Sequence, residues 1–340
     1  MYPCFPNKSG FGTTNLLHAQ FAGRISDMKI IAVQKKSHIL TPSSLPCLAK
    51  IPTINITAGC FHRCIYCYSR GYSNYPGDDT VEVFTNLAQK LADELARKRV
   101  LPKITYFCPS SDPFQPVEQV LHQSFEVMNL LLQRNIGIQF ITKGIIPPRF
   151  IELFARHKAL VCGQIGISCI DDGIRQIFEP FTAAIPDRLE TLKILNGLGI
   201  TVSARPDPLI CGITDSDSQI NELFSAITQA GCKQVSVSYL FLRPAIRRSL
   251  EAGIRNRELL VKLLTPFRNA PVITMGTNNS AGMVLPKQLR VESFKRIRNL
   301  ADKFGITVHI CGCMNNDTFT ESCNIVMTDV YDEPLLFDKF

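Results

Sequence analysis

Three cysteines fall within eight residues, Cys60-Phe-His-Arg-Cys64-Ile-Tyr-Cys67, directly after an apolar, strand-like run from Ile54 to Gly59. This spacing gathers three thiolates around one small volume, and no fourth cysteine lies nearby in the sequence. Clusters that only carry electrons take four cysteine ligands. Three cysteines leave one iron with an open coordination position, where a small molecule can bind the metal directly. The pattern therefore points to a metal cluster that does chemistry as well as passing electrons.

A second group, Cys311-Gly-Cys313 with Cys323, lies near the C-terminus. Gly312 lets the backbone wrap tightly around a metal or a turn. An auxiliary iron–sulfur cluster fits, with His309 or another cysteine as fourth ligand. So does a structural zinc, which takes four sulfur or nitrogen ligands, and so do plain thiols at the end of a strand. The chain has 13 cysteines in all, a high and odd number for a cytosolic protein. Disulfides are rare in that compartment, where clustered cysteines more often mean metal sites or redox chemistry. Cys162, Cys169, Cys211 and Cys232 sit in apolar patterns and read as small buried hydrophobes.

The elements that must position these groups are legible from the periodicity. From about residue 50 a β-branched run followed by an amphipathic helix recurs. Candidate strands are 53–57, 104–108, 138–142, 161–168, 201–205 and 234–240, near-continuous apolar runs of the kind buried on both faces of a parallel sheet. Helical stripes follow at Phe84, Leu87, Leu91 and Leu95, with Asp78-Asp-Thr as capping material, and at Leu121, Phe125, Met128 and Leu132. Further stripes carry Leu189, Leu192 and Leu195, then Ile220, Leu223 and Ile227. Alternating βα units imply a parallel sheet with right-handed crossovers, open or closed into a barrel. Chemistry in such barrels sits at the C-terminal ends of the strands, where the Cys60–Cys67 loop emerges.

After about residue 245 the pattern changes to two helical stretches, around 259–264 and 288–304, flanking a loop rich in Gly, Asn and Ser. A last strand, 306–310, runs into Cys311. The expected division is a barrel over 28–245, with its core at 50–245, and a C-terminal extension over 246–340. Residues 1–27 lack periodicity and are expected to be disordered or wrongly included in the reading frame. The 340 residues suffice for a sizeable core, with 45% apolar and 19% charged residues, ordinary values for a soluble enzyme. No apolar run reaches the ~18 residues of a membrane helix, and the first residues lack the apolar block of a secretory signal. The expectation is a cytoplasmic protein without a membrane partner.

The cysteine motif resembles the signature of the radical S-adenosylmethionine (SAM) enzymes. More narrowly, the chain resembles the spore photoproduct lyase-like branch of that superfamily. That likeness rests on Cys64-Ile-Tyr-Cys67-Tyr68, Ser111-Asp112-Pro-Phe-Gln-Pro-Val-Glu118, Ile141-Thr-Lys143, Glu179-Pro, Arg188-Leu189 and Pro208-Leu-Ile-Cys-Gly212, in order over about 51–244. The resemblance implies an α/β fold, a partial (β/α)6 TIM-like barrel with a C-terminal α/β extension. It also implies a [4Fe–4S] cluster on Cys60, Cys64 and Cys67, with SAM chelating the fourth iron. One electron from the reduced cluster then breaks the sulfonium bond, and the resulting 5′-deoxyadenosyl radical takes a hydrogen atom from the substrate, chemistry that belongs to the cofactor.

For individual residues the resemblance implies Tyr66 beside the adenine, although a core-packing ring explains it as well. Lys143 suits the cofactor carboxylate as a point charge; a solvated loop lysine is the alternative. Ser168 is placed for the ribose hydroxyls, Asp112 for the ammonium and Arg205 for a carboxylate or phosphate. A turn aspartate before proline is also common. Many radical SAM enzymes carry Gly-Gly-Glu where this chain has Cys108-Pro-Ser-Ser-Asp112. Spore photoproduct lyases have a hydrogen-donating cysteine in this region, and Cys108 falls one residue off that spacing. Tyr68 likewise resembles a tyrosine of the lyase motif.

The formal charge of +8 permits an anionic substrate. Basic stretches at Arg243, Arg247, Arg248, Arg255 and Arg257, then Lys287, Arg290, Lys295, Arg296 and Arg298, could meet phosphates. Glu251, Glu258 and Glu292 interleave with them, as on a solvated helix face. Expected partners are SAM, a one-electron reductant such as flavodoxin or ferredoxin, and nucleic acid. Two other classes compete: a zinc-stabilised binding protein without activity, and a simple iron–sulfur electron carrier.

Overall fold

A computed structural model describes residues 28–275, 280–319 and 321–322. Its centre is a seven-stranded sheet, ordered β12-β9-β8-β7-β6-β5-β2. The strands are β2 (Thr53–Ile54), β5 (Ile104–Phe107), β6 (Gly137–Thr142), β7 (Val161–Gly166), β8 (Thr201–Arg205), β9 (Gln234–Val237) and β12 (Thr307–Ile310). All neighbours pair in parallel. The first six of these strands coincide with the six apolar runs read from the sequence, β6 beginning one residue before its run, and helices connect them. The result is an α/β sheet consistent with a partial TIM-like barrel.

The helices that cover it are α1 (Leu87–Ala96), α2 (Glu118–Leu132), α3 (Pro148–Arg156), α4 (Asp172–Phe178), α5 (Ile185–Gly197) and α6 (Asp217–Gln229). Leu87, Leu91 and Leu95 of α1 are buried, and so are Val127, Leu131 and Leu132 of α2. Phe114, Phe140, Phe150 and Phe154 form an aromatic cluster in which Phe114 meets the other three edge-on. On β5, Ile104 and Tyr106 belong to a separate small cluster with Leu48, Ile51 and Cys162. By strand alternation they face away from Phe107, which packs in the main core.

One expectation needs correction. Asp78-Asp-Thr does not cap a helix: Thr80–Phe84 is a strand, β4, and α1 begins only at Leu87. Val81 and Val83 are buried while Thr80, Glu82 and Phe84 are half-buried, a period of two that decides for strand over helix. β4 pairs in parallel with β1 (Lys29–Val33) and antiparallel with β3 (Thr57–Ala58), in a separate three-stranded sheet. The short helices α3 and α4 gave too little periodic signal to be read in advance.

Beyond the barrel follow α7 (Pro244–Gly253), α8 (Arg257–Leu264), the hairpin β10–β11 (Val272–Met275 and Ser280–Met283) and α9 (Lys287–Asp302). Then β12 adds to the edge of the main sheet beside β9. The expected extension therefore shares its sheet with the barrel. Residues 1–27 and 323–340 lie outside the described residues, and so does the expectation of disorder over 1–27. Among the described residues, no helix is long and apolar enough to cross a membrane.

Candidate active site

The Cys60–Cys67 loop leaves β3 at Gly59, whose φ is +79° and where a Cβ would stand 2.4 Å from the Thr80 carbonyl oxygen. Only glycine fits there. The loop is closed by its own backbone: Arg63 N–H donates to Cys60 O at 3.3 Å and Cys67 N–H to Cys64 O at 3.1 Å. Arg70 binds it from below, Nε to Cys64 O at 3.1 Å and Nη2 to Arg63 O at 3.2 Å. Phe61 N–H donates to the buried Gln115 carboxamide at 2.7 Å. All three cysteines are half-buried, and the Cys67 sulfur lies 2.9 Å from Ser69 Oγ. Burial first, then the nearby charges of Asp112 for Cys60 and of Glu179 for Cys64, push those two thiols above their usual range.

Asp112 ties this loop to the sheet. Its carboxylate accepts from Phe114 N–H (2.8 Å), Thr142 Oγ1 (2.8 and 3.0 Å) and Lys143 N–H (2.8 Å). His62 Nδ1, on the cysteine loop, lies 3.3 Å from Oδ2. Burial alone would raise its pKa, but His62 and these bonds hold it below the ordinary value. Protein groups thus surround the carboxylate.

Opposite the loop, Lys143 extends from the end of β6 over Gly166 of β7, where a Cβ would stand 2.7 Å from Lys143 Cγ. Its ammonium lies 3.3 Å from Asp207 O and 5.6 Å from the centre of the Tyr66 ring. Tyr66 is buried and its hydroxyl donates to Glu179. Ser168 donates to the same carboxylate at 3.3 Å, and Arg188 pairs with it at 2.6 Å. Burial opposes ionisation of Glu179, but Arg188 and Lys143 keep its pKa below the ordinary value. Arg205, at the end of β8, meets Asp207 Oδ2 at 2.6 Å and Gln164 Oε1 at 3.0 Å.

The structure thus brings Cys60, Cys64, Cys67, Tyr66, Asp112, Lys143, Ser168 and Arg205 to the C-terminal end of one parallel sheet. Cys108 is there too, but its side chain is 1% exposed and packs in the core. Tyr68 is exposed, and its hydroxyl donates to Pro109 O. Cys311, buried, and Cys313, half-buried, follow β12 at the same end of the sheet, while Cys323 lies outside the described residues. The second basic stretch is largely spent in ion pairs: Arg290 is buried against Asp317 at 2.6 Å, Arg296 meets Asp217 and Arg298 meets Glu321. Sequence reasoning quoted Glu179, Arg188 and Gln115 within the motifs but gave none of them a role. Glu179-Pro and Arg188-Leu189 carried a signal, as a carboxylate and a guanidinium in otherwise apolar surroundings.

A model of the radical SAM superfamily matches residues 54–227 of the 340. The chain belongs to the radical SAM superfamily. Among relatives of this radical SAM protein is a "Radical SAM Nalpha-GlyT isomerase" of Pseudomonas phage M6, 25% identical over 259 residues, 74% of this chain and 51% of that one. An uncharacterised protein of Methanocaldococcus jannaschii is 25% identical over 197 residues, 58% of this chain and 74% of that one. The chain spans about half the length of the phage relative. Its fold is that of spore photoproduct lyase: one such structure superposes with a TM-score of 0.65 at 16% identity, covering 91% of this chain and 88% of that one. Another, with bound AdoMet and dinucleoside spore photoproduct, gives 0.64 at 15% identity over 91% and 87%.

Membership of the radical SAM superfamily implies a [4Fe–4S] cluster and SAM. The donor set fits. Three half-buried thiols on one loop can supply three of a cubane's ligands and leave one corner open, each losing its proton when it binds iron. Among the described residues no three His, Cys, Asp or Glu side chains are gathered closely enough to hold a single metal ion. A cube, whose irons occupy separate corners, needs its cysteines further apart than one ion does.

Proposed function

We propose that this protein uses Cys60, Cys64 and Cys67 to hold a [4Fe–4S] cluster and cleaves SAM reductively to start hydrogen abstraction from a substrate. When bound, the cluster and SAM supply one electron and, from it, an adenosyl radical. The observation that carries this reading is the placement of the three-cysteine loop against Lys143, Tyr66 and Ser168 at the C-terminal end of a parallel sheet. There Lys143 offers a cation to the cofactor carboxylate. Tyr66 offers a buried ring to the adenine and Ser168 a hydroxyl to the ribose. Asp112, already engaged by protein donors, serves to position the loop and Lys143 rather than to bind the ammonium. Arg205, held by Asp207 and Gln164 at the end of β8, is the proposed cation for an anionic group. Anaerobic reconstitution tests the reading. About four iron atoms per chain (more where the second cysteine group also carries an iron–sulfur cluster), an EPR signal of the reduced protein that changes with SAM, and 5′-deoxyadenosine released under dithionite are expected. Cys64→Ala should lose about four irons and abolish the SAM-dependent EPR change and the release of 5′-deoxyadenosine; a wild-type protein that takes up zinc and no iron refutes the proposal.

For the substrate we propose nucleic acid. Tyr68 and Tyr72 are 41% and 40% exposed, with ring centres 6.0 Å apart, directly after the cysteine loop. The guanidinium of Arg243 lies beside Gly71 between them. Exposed aromatics with a neighbouring arginine stack on bases without regard to sequence. Binding to single-stranded DNA that weakens steeply with salt is expected, and salt-independent or absent binding refutes it. The electron donor is proposed as a flavodoxin or ferredoxin. Cys311, Cys313 and Cys323 are proposed as a second metal site, iron–sulfur or zinc, which iron and zinc analysis of a Cys311→Ala/Cys313→Ala variant tests directly.

A further inference from the structure

One buried carboxylate joins three parts of the site. Glu179 is 1% exposed and lies in the turn between α4 and α5. It receives the hydroxyl of Tyr66, between two of the cysteines, and that of Ser168, just past β7. Its counter-charge, Arg188, is fully buried. Arg188 is itself fixed to the backbone, Nε to Ala183 O at 2.9 Å and Nη1 to Gly166 O at 2.8 Å. The same turn grips its surroundings twice more. Ile65 N–H donates to Phe178 O at 2.9 Å and Ala183 N–H to Lys143 O at 2.9 Å. The turn is thus a strap from the cysteine loop to the ends of β6 and β7.

We infer that Glu179 is a positioning residue for the cofactor side of the site and sets the hydrogen-bonding polarity of Tyr66 and Ser168. This rests on reading the site as one that holds SAM. An ionised carboxylate only accepts hydrogen bonds, so both hydroxyls must spend their single proton on it. Each then has only lone pairs left to offer a ligand. The ligand groups that meet them must be donors, as sugar hydroxyls and an exocyclic amine are. A buried ion pair is a poor source of stability compared with apolar packing, which argues that this one serves geometry. Any neutral replacement of Glu179 leaves Arg188 without its counter-charge, so the isosteric Glu179→Gln is read beside hydroxyl deletions that keep the ion pair intact.

The test is equilibrium binding of SAM to the reconstituted, iron-loaded protein, with iron content measured on each sample. Glu179→Gln, which can donate as well as accept, and Tyr66→Phe, which removes one hydroxyl, should each weaken SAM binding by about tenfold or more, as loss of supporting partners around a site does. Because both act through one bond, the double variant should bind no more weakly than the worse single one. A role in stability alone would lower the melting temperature without touching SAM affinity. Single variants that bind like the wild type overturn the inference, as does a double variant whose losses multiply. If Glu179→Gln takes up no iron, Tyr66→Phe and Ser168→Ala carry the test: unchanged affinity in both overturns it, and a loss in both sustains it. A wild-type protein that holds iron but no SAM overturns the functional reading and this inference with it, a result distinct from variants that bind normally.

Discussion

The hydroxyl of Tyr68 donates to the carbonyl oxygen of Pro109, so the residue after Cys67 is tied to the residue after Cys108. The tie spans from the cysteine loop to the end of β5, while the Tyr68 ring stays exposed beside Tyr72. Hydroxyl and ring thus have separable tasks. Tyr68→Phe should cost about 1 kcal/mol of stability, since the freed carbonyl is within reach of water, and leave affinity for single-stranded DNA unchanged. Tyr68→Ala should cost in addition roughly 1–3 kcal/mol of DNA binding through lost stacking. Thermal melts and fluorescence anisotropy of both variants check the split.

Cys108 is held with φ of +52° and is buried, and burial pushes its thiol up to about 12. At neutral pH it keeps its S–H bond, the form a hydrogen-atom donor needs. Cys108→Ala should preserve iron content and SAM cleavage but reduce correctly quenched product, measured by deuterium distribution in the product. Unchanged product would end the donor idea. The folding cost should be small, about 1 kcal/mol for a single sulfur lost from the core.

Parallel strands were readable because continuous apolar runs with β-branched residues have few alternatives, and a loop after the first such run had to lie at the sheet's C-terminal end. The gathering of Cys60, Cys64 and Cys67 on one loop was readable because their spacing is local. What escaped was non-local or short. β4 spans five residues and runs into the stripe of α1, so Phe84 was counted with the helix although it ends a strand. Glu179 and Arg188 reveal their task only when Tyr66, 113 residues away, is brought to the carboxylate. Charge runs misled for the same reason. Arg290 looks like a surface cation in sequence, yet its partners Asn315, Asp317 and Thr318 bury it.

Gly59 is the narrowest point of the site's scaffold. A side chain there meets both a positive φ and the Thr80 carbonyl at 2.4 Å, backbone that β4 holds in place. Gly59→Ala should therefore shift the cysteine loop. Strain at such a position costs roughly 1–3 kcal/mol, and iron uptake should fall with it. Gly77 makes the control, since its φ of +101° is also positive but nothing lies within 4 Å of a Cβ there. Gly77→Ala should show the backbone penalty in a thermal melt while retaining full iron content by colorimetric assay.

The ion pair of Arg290 and Asp317 organises the segment after β12, and its dependence on acid follows from the sign of one shift. Arg290 is buried and spends its donors on Leu285 O at 2.8 Å, Asn315 Oδ1 at 3.0 Å and Asp317 Oδ2 at 2.6 Å. The hydrogen bonds from Arg290 hold the Asp317 carboxyl below its ordinary value, against a smaller opposing effect of burial. A carboxyl whose pKa is lower in the folded chain stabilises the fold at every pH above its unfolded value. That stabilisation is lost as pH falls through the folded value. Asp317→Asn leaves the guanidinium without its counter-charge and should cost about 1–3 kcal/mol at neutral pH. The gap between wild type and variant should stay constant down to about pH 5 and close below about pH 4, where the unfolded chain begins to take up the proton. Urea midpoints of both proteins, compared without iron so that acid loss of a cluster does not enter, would show this convergence. A gap that persists undiminished into acid would mean that the carboxylate's charge is not what holds Arg290.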